Sequence, residues 1–120
     1  MPSFVEHTLD VYGVALYFAS NGRQWAAIRK SRMPRLSPAP GSHGLTEMFS
    51  AGPVIQFAVY VAPDDDPAEL INTCAHEAAH VAGQILEEVG ADYDGASEPH
   101  AYLVGWVTQW LWQNTQAART

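Results

Sequence analysis

His76-Glu77-Ala78-Ala79-His80 carries two imidazoles four residues apart, with a carboxylate directly after the first. On a helix of 3.6 residues per turn these histidines differ by roughly 40° around the axis and about 6 Å along it, so both rings reach one ion. Zinc suits the pair, because it binds neutral imidazole nitrogen and keeps a water molecule when the protein supplies only three ligands. Glu77 stands beside the histidines, where it can accept a proton from that water while the metal lowers its pKa towards neutrality. The chemistry implied is hydrolysis. Five His and seven Glu among 120 residues supply this five-residue pattern by accident in roughly one such chain in a hundred. The flanking sequence therefore has to carry part of the argument.

The flanks read as helix. Asp66 is an N-cap, Pro67 takes the first helical position, Glu69 stands at the capping-box position, and Gly90 is a stop. Between them Leu70, Ile71, Cys74, Ala75, Ala78, Ala82, Ile85, Leu86 and Val89 recur at helical spacing, while Thr73, His76, His80, Gly83 and Glu87 share a different face. The β-rich apolar run 53–62 before it predicts a strand with a covered face, and 44–50 a shorter strand pairing with it around Ala51-Gly52-Pro53.

A third ligand is needed for an open zinc site. Glu98 follows the loop 90–96, opens a second helix with Ser97 as N-cap, and is the first choice. On this helix Leu103, Trp106, Val107, Trp110 and Leu111 form an apolar stripe. Ala101, Gly105 and Gln109 lie on the face of Glu98 and predict a close helix-to-helix approach that carries its carboxylate to the histidines. Tyr102, one turn later, is a candidate to orient a ligand or donate to a developing oxyanion. Trp106 and Trp110 read as core, whereas Trp112 projects elsewhere, towards an oligomer contact or a cleft wall.

His-Glu-x-x-His followed by a glutamate on a second helix resembles the gluzincin branch of zinc metallopeptidases. The resemblance implies His76, His80 and Glu98 as zinc ligands and Glu77 as general base. The stretches Thr73 to Val81, Val89-Gly90 and Glu98 to Val104 are similar, more narrowly, to short metallopeptidase-like proteins encoded by bacteriophages and prophages, over residues 44–112. The pattern departs from larger gluzincins in three ways: Ser97 precedes Glu98 where they carry asparagine, the interval from His80 is short, and Tyr102 replaces an aspartate. Asp92 or Asp94, in the manner of the aspzincin branch, and His100 are the alternative third ligands.

Composition sets outer bounds. A 120-residue chain with 48% apolar residues can bury one modest core, which predicts a single domain over 1–120. Residues 1–7 do not resemble a signal peptide and no apolar run approaches membrane-spanning length, so the expected location is the cytoplasm, the host's if the chain is phage-encoded. The single Cys74 lies on the apolar stripe and reads as core packing. Five of six basic residues fall between Arg23 and Arg35 within a net charge of −7. Without interleaved aromatics that stretch reads as a solvated helix rather than a nucleic-acid surface.

Residues 9–19 predict one strand closed by Ser20-Asn21-Gly22, and Trp25-Ile28 spacing predicts a short helix over 23–31. The three prolines in 31–43 predict an irregular, mobile connector, with a lid as the functional alternative. His7 lies in a polar opening segment and carries no role, and His43 reads as a loop side chain. The expectation is an α+β minimal zincin-like domain, ordered strand, helix, two strands, active helix, ligand helix, with a short sheet on one side of the helices. Its expected activity is zinc-dependent cleavage of peptide bonds in a peptide or protein substrate. The competing readings are a binding module, phage-type, whose zinc is structural, and an interaction protein or homo-oligomer with a fortuitous motif.

Overall fold

A computed structural model describes residues 4–90 and 98–119. Four strands form one mixed sheet in the order β1-β2-β4-β3: β1 (Val5–Leu9), β2 (Val14–Ala19), β3 (Gly44–Ala51) and β4 (Val54–Val61). β2 pairs antiparallel with β1 and parallel with β4, and β3 closes a hairpin on β4 with Gly44 opposite Val61. Three helices accompany the sheet: α1 (Gly22–Ser31), α2 (Pro67–Glu88) and α3 (Glu98–Ala117). The protein is thus a small α+β fold.

Strand alternation sorts the side chains into two cores. Val14, Leu16, Phe18, Phe57, Val59 and Val61 point to one face and pack against Leu70, Cys74, Ala78 and Ile85 of α2 and Leu103, Val107 and Leu111 of α3. Ala15, Tyr17, Ala58 and Tyr60 point to the other, against Trp25 and Ile28 of α1. The sheet is therefore covered on both faces, not one as the sequence suggested. Every residue of β2 is buried, which is why its run is continuously apolar.

The strand expected over 9–19 covers only 14–19, and residues 10–13 before it form a turn that joins it to β1. A turn at Asp10–Tyr12 ends with Gly13 at φ 65°, its N–H donating to the Asp10 carbonyl at 3.2 Å. This left-handed conformation costs glycine little and any other residue more. The polar opening segment is accordingly edge strand β1, and His7 has a packing role, its half-buried ring 5.1 Å from that of Trp106.

α2 starts as the sequence indicates, and α1 starts one residue earlier than expected, at Gly22. Asn21 caps α1 by accepting from the Gln24 N–H at 2.9 Å, and Asp66 caps α2 by accepting from Ala68 at 2.9 Å, with Pro67 opening the helix. Gly90, at φ 73°, lies just beyond the end of α2. Among the described residues, no helix is long and apolar enough to cross a membrane.

The 31–43 connector is irregular as expected, but it is anchored. Met33 and Leu36 are buried among the α1 side chains, Trp25 Nε1 donates to the Ser37 carbonyl at 2.8 Å, and the Ser37 N–H and hydroxyl donate to the Glu47 carboxylate. These anchors lie on the face of the sheet opposite α2, so residues 33–37 do not cover that helix.

Candidate metal centre

α2 packs on β3 and β4 and beside α3, leaving His76 and His80 exposed on its outward side. Their Nε2 atoms stand 3.2 Å apart, with ring planes nearly perpendicular. Two nitrogens held at ~2.0–2.1 Å by one tetrahedral zinc are separated by about 3.3 Å. The pair is thus spaced to share an ion, and without one a ring N–H donates to the other ring's nitrogen across the same gap. The donor set, two imidazole nitrogens with solvent access, also fits zinc.

Glu77 behaves differently from its neighbours. It is only 4% exposed and points beneath β3, where Thr46 Oγ1 donates to its Oε1 at 2.7 Å. Gly44 opens the same strand, and a Cβ there would lie 2.8 Å from Glu77 Oε2 and 2.8 Å from Thr73 Cγ2. Sequence reasoning passed over Thr46 and Gly44. The available signal was the alternation of β3, which turns Gly44, Thr46 and the core-packed Met48 to one face and Leu45, Glu47 and Phe49 to the other. One turn past His80, Gln84 Oε1 is buried with no hydrogen-bond partner among the described residues.

Glu98 and Tyr102 do not join this cluster. Ile71 and Cys74 of α2 border a concavity of about 390 Å³ with Gly105, Gln109 and Trp112 of α3. That side of α2 lies roughly 120–180° around the axis from His76 and His80 at 100° per residue. Leu70 borders another cavity with Thr115, so the helices run antiparallel. The close approach expected at Gly105 is absent too, since a Cβ there meets nothing within 4 Å.

Tyr102 is 74% exposed and borders a concavity with Thr8, Leu9 and Tyr12, at the β1 edge of the sheet. Glu77 lies beneath β3, the opposite edge, three strand spacings or about 14 Å away. Among the described residues no three His, Cys, Asp or Glu side chains converge to hold a metal. Asp92, Asp94 and Ser97 lie outside the described residues, and His100 is half-buried on the first turn of α3.

The chain matches no family model, no curated protein and no solved structure.

Proposed function

We propose that this protein is a zinc-dependent hydrolase of peptide bonds, a minimal zincin-like domain in which His76 and His80 are metal ligands and Glu77 is the general base. The observation that carries the reading is the 3.2 Å separation of the two Nε2 atoms on the turn that also holds a buried carboxylate. Both apolar cores close without the histidines, which favours a working centre over a metal that staples the fold. Among the described residues β3 pairs only with β4, so its outer edge offers backbone N–H and C=O groups to an extended peptide beside Glu77.

Zinc held by His76 and His80 would supply Lewis acidity to water and to the scissile carbonyl, and Glu77 would accept the proton of the attacking water and pass it to the leaving amine. Glu98 remains the first carboxylate for the third position, with Asp94, Asp92 and His100 as alternatives.

Glu77→Gln tests the assignment. The variant should bind zinc like the parent and lose peptide cleavage by at least about 100-fold, measured by zinc titration and with a quenched-fluorescent peptide mixture. Cleavage at the parent rate by Glu77→Gln would remove the base from the account.

A further inference from the structure

Buried carboxylates need donors, because the charged form otherwise loses its water without replacement. Glu77 has one in Thr46, whose hydroxyl donates to Oε1 across 2.7 Å. The other carboxylate oxygen occupies the space that a side chain at position 44 would fill. β3 thus supplies both a donor and a gap to the same carboxylate. A hydroxyl-to-carboxylate bond is stronger than one between neutral groups, and burial leaves the side chain little freedom to leave it.

Resting on the reading of Glu77 as base, we propose that Thr46 is a positioning residue, whose hydroxyl fixes the Glu77 carboxylate in a seat that Gly44 keeps open. One oxygen is pinned and the second is left to receive the proton. The geometry also explains why the edge strand carries threonine and glycine at alternate positions facing α2, where Val or Ile would pack better on an apolar helix. Thr46 itself touches neither substrate nor metal in this scheme. Its contribution is to hold the base in one orientation, and errors of about 1 Å in such placement cost roughly 100-fold in rate.

Two variants and two readouts test this. Thr46→Val keeps the shape and removes the hydroxyl, while Thr46→Ser keeps the hydroxyl. In metal-free protein the side-chain carboxyl carbon-13 resonance of Glu77 should move in Thr46→Val and return in Thr46→Ser. In zinc-loaded protein, turnover of the quenched-fluorescent peptide mixture should fall about 10- to 100-fold in Thr46→Val, with KM and zinc stoichiometry unchanged, and recover in Thr46→Ser.

Gly44→Ala supplies an independent check should Thr46→Val not fold, because its methyl group must displace Oε2 and lower turnover in the same way. An unmoved Glu77 resonance in Thr46→Val, or parent-like turnover in either Thr46→Val or Gly44→Ala, would overturn the proposal. If the parent cleaves no peptide while the resonance follows the hydroxyl, the hydrolase reading fails and the Thr46 to Glu77 link stands on its own.

Discussion

Cys74 lies on the same helix as the histidines, one turn before Ala78 on the buried side, and burial pushes its thiol up from 9.0 to about 11. The folded chain holds this proton more tightly than the unfolded chain, so the stabilisation is complete below the ordinary value. It is lost as pH rises from 9.0 towards about 11. Urea midpoints should therefore decline over that window, less steeply in Cys74→Ala, and iodoacetamide should label the native thiol near neutral pH far more slowly than the unfolded one. Equal slopes in parent and variant would show that Cys74 contributes nothing to the alkaline limb. That this cysteine is core, and that His76, Glu77 and His80 share one turn, follow directly from helical spacing. The roles of Thr46 and Gly44 do not, since spacing within α2 says nothing about which strand lies beneath Glu77. Glu98 and Tyr102 come from the small-residue face of α3 and from the family resemblance, and neither says which side of α2 the helix α3 packs on, which is the Ile71 and Cys74 side.

The strands and helices repeat this division between local and non-local information. α2 was legible because its cap is written in the chain, Asp66 accepting from a first-turn N–H, and α1 because Trp25 and Ile28 stand at helical spacing; the Asn21 cap of α1 reads in the sequence only as the end of a strand. The β1 and β2 pair was not legible, because β2 is buried on both faces and its apolar run conceals the turn before it. That turn depends on Gly13 at φ 65°. Gly13→Ala should cost about 1 kcal/mol in denaturant unfolding, whereas Gly41→Ala, with nothing within 4 Å of the added methyl, should change little. Equal effects of the two substitutions would mean that the Asp10–Tyr12 turn does not govern the hairpin. The connector after α1 misled for a related reason. Its prolines signal irregular backbone, but Met33 and Leu36 sit three apart and enter the core against Trp25 and Ile28, a contact that no local pattern reveals.

The chain as folded puts its basic stretch and its histidine pair on different layers. Arg23, Arg29 and Lys30 belong to α1 on one face of the sheet, and His76 and His80 to α2 on the other. The anchored connector stays with α1, so among the described residues α2 and the β3 edge border the candidate centre. Because both cores exclude the histidines, chelation should leave the fold intact and remove only the stabilisation that ligand binding adds. Zinc-edge X-ray absorption on protein loaded with one equivalent of zinc tests the centre most directly. The account predicts two imidazole nitrogens at ~2.0–2.1 Å together with oxygen ligands, and loss of one imidazole in His80→Ala. A spectrum without imidazole scattering, or one unchanged in His80→Ala, would contradict it.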